Sequence, residues 1–434
     1  MGRMGWRNRY SDRENSMSND RFETKLTLAS RRPVKSHGYV NPKLVRGSTV
    51  LYPSCADRRE IGKRRLEQEE IYGLYGTETH FALEAMITQI EGGSHCQIVS
   101  SGLAAITVPM LAFLKSHDHI LMPDSVYGPT RRFCDSVLHR YGVTVTYYDP
   151  MLSEPDLRAL MRSNTKVVFS ESPGSHTFEV QDVPMLARVA HEHGAKLFMD
   201  NTWGIHTFQP FNHGVDVSIQ ALTKYIGGHS DIILGAVTVA SESDWAWLRA
   251  GALDLGQYAS PDDCWLALRG ARTLKVRLDQ QANSALRIAK WLADRAEVQR
   301  VLHPALPSCP GHAFWKRDFS GACGLFGIVF EPRFDYEAVC AMVDSLRLFG
   351  IGASWGGYES LALPTSFTIT RSQGTGVFGG EMLRLQIGLE HVDDLINDLD
   401  AGLTVLRGQQ RTACASPPCL ADEMQHIGEA NGPQ

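Results

Sequence analysis

A lysine follows an apolar segment at a position where its amine could act as a nucleophile. Lys224 comes after SIQAL (218–222), which predicts a buried strand; Thr223 precedes it and Gly227 and Gly228 follow it. A lysine in a dry pocket loses its charge readily, because burial disfavours the ammonium and favours the neutral amine. That form makes a Schiff base with a carbonyl. The alternative is a lysine at a strand end whose ammonium extends into water.

Other groups that bind ligands follow neighbouring apolar segments. Asp200 ends KLFMD, Tyr127 follows HILMP, and a Ser-Gly turn at 101–102 follows QIVS. Asp200 could pair with a protonated pyridine nitrogen, Tyr127 could stack on a flat ring, and N–H groups at the turn could bind phosphate. The ordinary alternatives are a helix N-cap, a core or rim tyrosine, and a plain strand-to-helix turn. With Lys224, these groups form the set that a pyridoxal phosphate site needs.

Short apolar runs alternate with amphipathic segments from about residue 80 to 240, and this pattern predicts the elements that hold these groups. The predicted strands are 97–101, 119–123, 144–148, 166–171, 196–200, 217–221 and 233–240. The predicted helices between them include 103–115, 129–142 and 183–194. Such alternation favours a mostly parallel sheet covered by helices on both faces, whose ligands bind at the carboxyl ends of the strands.

The second half of the chain has a different pattern. An amphipathic segment at 261–296, free of proline after its start, is predicted to be helical and to lead into a smaller α+β unit. In that unit we predict strands at 298–304, 325–330 and 382–390, and helices at 335–349 and 391–408.

These patterns predict four parts. They are an extended N-terminal arm (1–68), a large cofactor-binding domain (69–270), a small C-terminal domain (271–408) and a disordered tail (409–434). Within the arm, STVLYPS (48–54) is either a strand or a segment lying on a partner subunit. Met17 is an alternative start, which would make the preceding residues non-native.

Composition excludes several classes of protein. The 434 residues are 43% hydrophobic and 21% charged, with a net charge of −5, so the chain is neither mainly disordered nor built to bind nucleic acid or an anionic membrane. No run approaches the roughly 18 apolar residues of a membrane span, and the N-terminus lacks the apolar core of a secretory signal. The nine cysteines contain no CxxC pair, which favours free thiols in a reducing cytoplasm. His191 and His193 face different ways on a helix, so we expect no metal site there.

Longer stretches carry a family resemblance that spans about residues 48–408. The main ones are YGLYGTETH (72–80), VVFSESPGS (167–175), MDNTW (199–203), DVSIQALTKYIGGHSD (216–231), SWGGYESL (354–361) and LRLQIGLE (383–390). On these motifs the chain resembles the Cys/Met-metabolism family of pyridoxal-phosphate (PLP) enzymes, which have the aspartate-aminotransferase fold, type I. The resemblance implies an α/β fold with a mostly parallel central sheet, a smaller α+β C-terminal domain and an extended N-terminal arm.

The resemblance also implies roles for individual residues. Lys224 would carry the cofactor as a Schiff base and act as a catalytic base, Asp200 would bind the pyridine nitrogen, and Tyr127 would stack on the ring and act in catalysis. The phosphate would be held by four residues, Ser101, Gly102, Leu103 and Thr223. The substrate would be held by three residues, Arg384, Ser354 and Trp355.

Arg384 is a candidate for a binding role even without the family. It alternates with apolar residues in LRLQIG, so its guanidinium needs a partner on a buried strand. A substrate carboxylate bound bidentately is one possibility, and a buried ion pair within the protein is the other.

The resemblance implies a homo-oligomer, with an active dimer that assembles into a tetramer. Tyr72 would reach the phosphate in a neighbouring subunit, so the dimer would be the minimal active unit. The family usually has an arginine two residues after this tyrosine, where this chain has Leu74 followed by Tyr75. Some relatives have a serine three residues before the lysine, where this chain has Ala221. One charged phosphate contact is therefore missing or supplied from elsewhere.

Within the family, Trp355 and Tyr358 of SWGGYES resemble the branch that splits L-cystathionine by β-elimination. This carbon–sulfur lyase reaction of transsulfuration and methionine biosynthesis gives homocysteine, pyruvate and ammonia. A bulky tryptophan could align the substrate for departure of the β-substituent, or it could simply pack. The alternatives are γ-elimination or γ-synthesis of cystathionine, a general cysteine C–S lyase, and a non-enzymatic sensor that binds PLP.

Overall fold

A seven-stranded sheet forms the centre of the chain. The computed structural model describes residues 20–31, 37–372 and 378–409. The strands of this sheet are β1 (His95–Val99), β2 (His119–Pro123), β3 (Thr144–Tyr148), β4 (Thr165–Glu171), β5 (Lys196–Asp200), β6 (Val217–Ala221) and β7 (Gly235–Val239). Their order is β1-β7-β6-β5-β4-β2-β3, and only β7 runs antiparallel to its neighbours. The predicted mostly parallel sheet is confirmed.

Thirteen α-helices accompany the sheets in the described ranges. They are α1 (Phe22–Leu28), α2 (Cys55–Gly62), α3 (Glu78–Glu91), α4 (Gly102–Phe113), α5 (Gly128–Phe133), α6 (Glu154–Leu160), α7 (Val183–Glu192), α8 (Glu242–Asp254), α9 (Pro261–Ala271), α10 (Leu274–Ala293), α11 (His312–Asp318), α12 (Tyr336–Ser345) and α13 (Val392–Gly408). Within these ranges no helix is both long and apolar enough to cross a bilayer.

The large sheet is buried on both faces because its side chains alternate between two apolar cores. Val167 and Phe169 of β4 join the core beneath α4 and α8, whereas Val168 between them joins the core beneath α3 and α7. All three are less than 2% exposed. A continuous apolar run is therefore what a central parallel strand requires.

A second, antiparallel sheet lies C-terminal to the first. It contains β8 (Val298–Leu302), β9 (Leu325–Phe330), β10 (Leu361–Pro364) and β11 (Met382–Gln386), in the order β10-β11-β9-β8. Its core is closed by α10, α12 and α13. This is the α+β unit expected from the sequence, although the sequence pattern did not indicate β10. The two sheets fall on either side of the proposed boundary at residue 270, which stays a prediction.

The predicted helical segment at 261–296 is confirmed, but it is divided into two helices, α9 and α10. Helix α9 ends at Ala271, and α10 begins at Leu274. At the break, the carbonyl oxygen of Gly270 accepts from the N–H of Thr273 at 3.1 Å and from the Arg277 guanidinium at 2.8 Å. The side chain of Arg272 donates to the carbonyl oxygen of Ala29 in the arm at 2.7 Å. Local hydrogen bonds and a contact with the arm thus hold the turn between the two helices.

Two further predictions need correction. The arm is not simply extended, because the described part contains α1 and α2. STVLYPS (48–54) forms no strand, and its last residue, Ser54, instead caps α2 by accepting from the N–H of Asp57 at 3.1 Å. The predicted tail lies almost entirely outside the described residues, as do the first 19 residues.

Gly270 allows α9 to lie directly against the turn that follows Lys224. A Cβ atom at Gly270 would lie 2.3 Å from the carbonyl oxygens of Ile226 and Gly227. Backbone atoms cannot move away as a flexible side chain could. This close approach therefore depends on the absence of a side chain at Gly270.

We expect Gly270→Ala to lower the free energy of unfolding by about 1–3 kcal/mol, because the added methyl group overpacks the contact with the turn. Thermal unfolding would show this as a lower midpoint. Gly408→Ala is the matched control, since Gly408 also lies in a helix and a Cβ atom there would meet no other atom within 4 Å. That control should unfold at the same or a slightly higher temperature. Equal midpoints for the two variants would contradict the expectation.

Candidate active site

The candidate site lies where neighbouring parallel strands end. Glu171 ends β4, Asp200 ends β5 and Ala221 ends β6, with Lys224 three residues further on. Glu171 and Asp200 are partners in the register of their strands. Polar groups from separate segments are thus brought to one edge of the sheet, as expected for ligand sites in this architecture.

The Lys224 side chain is directed at the segment that precedes β10. Its Nζ donates a hydrogen bond to Ser354 Oγ at 2.8 Å and lies 5.1 Å from the centroid of the Trp355 ring. Burial lowers the pKa of Lys224 to about 8, helped by the nearby Arg384 charge and opposed by Asp200. An amine with this pKa is neutral far more often than an ordinary lysine near pH 7. The structure therefore favours a nucleophilic amine over one extended into water.

A glycine brings this segment against Lys224. Gly356 has φ +87°, and a Cβ atom there would lie 3.0 Å from the Lys224 Cα. Backbone contact at that distance leaves no room for a side chain, and the left-handed conformation also favours glycine. Gly356 thus places Ser354 and Trp355 within reach of the amine.

Asp200 combines a local turn with a free oxygen. Its Oδ1 accepts hydrogen bonds from the N–H and the hydroxyl of Thr202 at 3.0 and 2.6 Å. Burial raises the pKa of Asp200, whereas Thr202 and the charge of Lys224 oppose that rise. These hydrogen bonds resemble those of a helix N-cap, the ordinary alternative considered for Asp200 in the sequence analysis. Because both of these bonds go to Oδ1, Oδ2 is available to a ligand.

Tyr127 is held by a residue that the sequence analysis did not single out. Tyr127 precedes α5 and is 42% exposed, and its N–H donates to Glu171 Oε2 at 2.8 Å. Burial raises the pKa of the Tyr127 phenol, and the charges of Glu171 and Asp200 raise it further. Glu171 ends an apolar strand just as Asp200 does, so the same signal could have identified it.

The Ser-Gly turn presents backbone N–H groups. Ser101 caps α4, and its Oγ accepts from the N–H of Ala104 at 3.1 Å. The first N–H groups of a helix have no partner within it, which leaves those of Gly102 and Leu103 available for an anion. A Cβ atom at Gly102 would lie 2.7 Å from Ala221 Cβ, so glycine lets the turn approach the end of β6.

Thr223 makes contacts that its predicted role does not require. Its Oγ1 accepts from the N–H of Leu234 at 3.0 Å and donates to the carbonyl oxygen of the same residue at 3.2 Å. These bonds tie the end of β6 to the segment before β7. To bind a phosphate, the hydroxyl hydrogen would have to turn away from Leu234.

Arg384 is buried without an ion pair among the described residues. It is 4% exposed, and its guanidinium donates to the carbonyl oxygens of Gly352, Ala353 and Ser354 at 2.8–3.0 Å. Its Nε is buried and has no partner in the described part of the chain. Burial lowers the pKa of Arg384 to about 10, so the group stays cationic near neutrality. The described residues therefore provide no ion-pair partner for Arg384.

Tyr72 lies in a different pocket from the other candidate residues. It is 48% exposed and lines a cavity of about 640 Å³ together with Arg46, Gly47, Ser48, Gly73, Leu74 and Tyr258. Arg46 is the guanidinium of this pocket and pairs with Asp262 on the surface. None of the strand-end candidate residues lines this cavity.

The strand-end residues fit pyridoxal phosphate with an amino-acid substrate. N–H groups at the start of α4 suit the phosphate, Oδ2 of Asp200 suits a protonated ring nitrogen, and the Lys224 amine suits the aldehyde. The unpartnered Nε of Arg384 suits a carboxylate. Among the described residues, no group of His, Cys, Asp and Glu is arranged to hold a metal ion.

The chain is similar to curated enzymes over most of its length. Cystathionine beta-lyase from Haemophilus influenzae is 43% identical over 387 residues, which covers 88% of this chain and 97% of the relative. Cystathionine beta-lyase MetC from Escherichia coli is 41% identical over 392 residues, covering 89% and 99%. Among solved structures, cystathionine gamma synthase from Xanthomonas oryzae pv. oryzae superposes with a TM-score of 0.82 at 29% identity, covering 90% of this chain and all of the other.

The match to a family model extends from the arm to α13. It covers residues 23–404 and therefore includes both sheets and all the strand-end residues. The chain belongs to the Cys/Met metabolism PLP-dependent enzyme family.

Proposed function

We propose that this chain catalyses the PLP-dependent β-elimination of L-cystathionine. The single observation that carries the proposal is the convergence of an amine of lowered pKa at Lys224, a partly buried acid at Asp200 and an unpartnered Nε at Arg384. Relatives that are 41–43% identical carry the name cystathionine beta-lyase, whereas the gamma synthase structure is 29% identical. The products would be homocysteine, pyruvate and ammonia.

Arg384 and the segment before β10 would bind the substrate. The guanidinium is already oriented by three carbonyl groups, so little freedom is lost when a carboxylate binds to it. Ser354 lies between this guanidinium and the Lys224 amine, since its carbonyl accepts from one and its hydroxyl from the other. A substrate α-carboxylate at Arg384 would therefore present its Cα close to Nζ of Lys224.

Lys224 would move the proton that starts the reaction. When bound, the cofactor supplies an electron sink that makes the Cα hydrogen of the substrate acidic. Asp200 would favour this by holding a positive charge at the ring nitrogen. Nζ of Lys224, displaced by the substrate amine, would then take the Cα proton as general base.

Tyr127 and Trp355 would control departure of the thiol. The raised pKa of the Tyr127 phenol keeps it protonated, so it can donate a proton to the departing sulfur. Trp355 packs edge-on against Tyr225, with ring centroids 5.4 Å apart, and this contact fixes the tryptophan as a wall of the site. A fixed wall would hold the distal part of cystathionine in the orientation that favours β-elimination.

We propose a homodimer as the minimal active unit, with two dimers forming a tetramer. The pocket of Tyr72 and Arg46 is exposed and separate from the strand-end site, as expected for residues that act on a neighbouring subunit. Arg46 would supply the guanidinium that Leu74 does not. The surface pair that Arg46 makes with Asp262 is weak enough to exchange for a phosphate.

We further propose that the protein works in the cytoplasm. All seven cysteines in the described ranges are free, and five of them are buried. Free thiols are typical of a reducing compartment.

The keto acid released from L-cystathionine tests the reaction. We expect purified protein with PLP to form pyruvate, whereas 2-oxobutyrate would indicate γ-elimination. Lys224→Ala should lower turnover by about 10³-fold or more, because the base is lost. Lys166→Ala removes an exposed lysine on β4 and is the matched control. Turnover by Lys224→Ala equal to that of the control would refute the assignment.

The pKa of Lys224 can be measured from the pH dependence of the rate at which the apoprotein binds PLP. Only the neutral amine attacks the aldehyde, so the rate of binding of PLP to the apoprotein should rise with pH and level off above about 8. A free lysine would instead give a midpoint near 10.4. Stopped-flow absorbance in the visible range measures this rate, and a rise that continues to pH 10 would contradict the pKa.

Mixed dimers test whether Tyr72 acts in a neighbouring subunit. Tyr72→Ala and Lys224→Ala homo-oligomers should each be poorly active, and reassembling the two together should restore activity. In the mixed dimer one site receives Lys224 from one chain and Tyr72 from the other, so it is complete. Absence of recovery, with mixed dimers verified by mass spectrometry, would place Tyr72 in the site of its own chain.

A further inference from the structure

Two residues with carboxyl groups lie at the ends of neighbouring strands of the large sheet. Glu171 ends β4 and Asp200 ends β5, and the two are partners in the parallel register. Partners on neighbouring strands lie about 4.8 Å apart. The side chains therefore start from adjacent backbone positions, and the charge of Asp200 raises the pKa of Glu171, so ionising both groups carries an electrostatic cost. The pair therefore holds one proton near neutral pH.

The contacts of the two groups decide which one is ionised. Asp200 receives two hydrogen bonds from Thr202 and faces the Lys224 amine, and both favour its anion. Glu171 is 8% exposed and accepts from the N–H of Tyr127, with Ser175 as a further hydrogen-bond partner, and these bonds favour its anion as well. The contact that separates the two groups is therefore the cation of Lys224, which acts on Asp200. Burial, followed by the charge of Asp200, raises the pKa of Glu171 to about 8. The proton thus belongs to Glu171.

We propose that Glu171 is a positioning residue for the reaction. It carries the proton of the Glu171–Asp200 pair, which leaves Asp200 ionised for the ring nitrogen, and it fixes the main chain of Tyr127. This inference rests on the proposed function, because it takes Asp200 as the partner of the cofactor ring. Glu171 itself touches neither substrate nor cofactor.

The effect on Tyr127 follows from the place of the hydrogen bond. The Tyr127 N–H stands at the start of α5, where the helix provides no partner for it. The bond to Glu171 Oε2 ties this point to the end of β4. The main chain of Tyr127 is therefore held from two sides: the sheet binds its N–H, and α5 binds its carbonyl oxygen, which accepts from the N–H groups of Thr130 and Arg131 at 2.9 and 3.1 Å.

Several charged groups surround the pair and enter any pH dependence. Lys224 faces Asp200, and Arg384 acts on both Lys224 and Tyr127. Glu91, on α3, lies near Asp200 and bonds to Ser218, Gln220 and Asn201. None of these other groups bonds to Tyr127 in the described part of the chain, so substitutions at Glu171 can be distinguished from effects at Glu91.

Substitutions that separate charge from hydrogen bonding test the proposal. Glu171→Gln keeps the acceptor for Tyr127 and is always neutral, whereas Glu171→Asp keeps an ionisable carboxyl group but is one methylene too short to reach Tyr127. We expect kcat at pH 7 to be at least tenfold higher for Glu171→Gln than for Glu171→Asp. Glu91→Gln and Glu91→Asp are the matched controls at another buried carboxyl group, and their kcat values should not show this order. A higher kcat for Glu171→Asp would overturn the proposal.

Thermal unfolding of the apoprotein gives a readout independent of catalysis. The folded pKa of Glu171 lies above the unfolded value of about 4.3, so its stabilising effect is full at low pH and is lost as pH rises towards 8. The midpoint of Glu171→Gln relative to wild type should therefore rise between about pH 5 and 8 and level off above. A difference that does not change with pH would overturn the proposal.

A measurement on the wild type covers the case in which a variant fails to fold. Infrared difference spectra between about pH 6 and 9 should show loss of protonated carboxyl groups, and subtraction of the Glu91→Gln spectrum removes the contribution of Glu91. No loss beyond that of Glu91 and Glu84 would overturn the proposal. Because pyruvate formation by wild type is measured separately, failure of the proposed function is distinguished from failure of this inference.

Discussion

Removal of the Lys224 amine from water is the constraint on which the rest of the structure depends. An exposed lysine would be protonated almost completely near pH 7 and would be a poor nucleophile. Here the amine is enclosed by Ser354, Trp355 and the strand ends, and burial lowers its pKa to about 8. The large sheet alone cannot enclose it, because the groups that cover it belong to the segment before β10. The site therefore requires the second sheet to pack against the first.

The second sheet contributes through one arginine and one loop. Arg384 lies on β11, opposite Gly327 of β9 in the register. Its guanidinium binds three consecutive carbonyl groups of the loop that contains Ser354. The same side chain thus orders the loop that covers Lys224 and leaves one N–H for a ligand. A buried arginine satisfied by carbonyl groups is oriented without having its charge neutralised, which is useful for binding an anionic substrate.

Charge at the strand ends is balanced locally. Buried carboxyl groups at Glu171 and Asp200, the amine of Lys224 and the guanidinium of Arg384 influence one another's pKa values across one edge of the sheet. The phosphate partners are N–H groups at the start of α4, which need no basic surface. This agrees with a chain whose overall charge is only −5. Electrostatics relevant to the reaction are thus set by a few buried groups and not by the surface.

The sequence by itself determined the elements and the identity of the reactive groups. Strands β2, β3, β5, β6 and β9 begin and end where their apolar runs do. In β2 and β9 every residue is buried, so these strands are mostly apolar, whereas β3 is an edge strand that is only partly buried. Lys224, Asp200 and Tyr127 were found because each follows such a run. Only the tertiary structure decided that Glu171 stands beside Asp200, that Arg384 binds carbonyl groups, that the helix breaks after Ala271, and that Tyr72 lies apart. Each of these depends on contacts between residues distant in the chain, such as strand register and packing between sheets, which local periodicity does not encode.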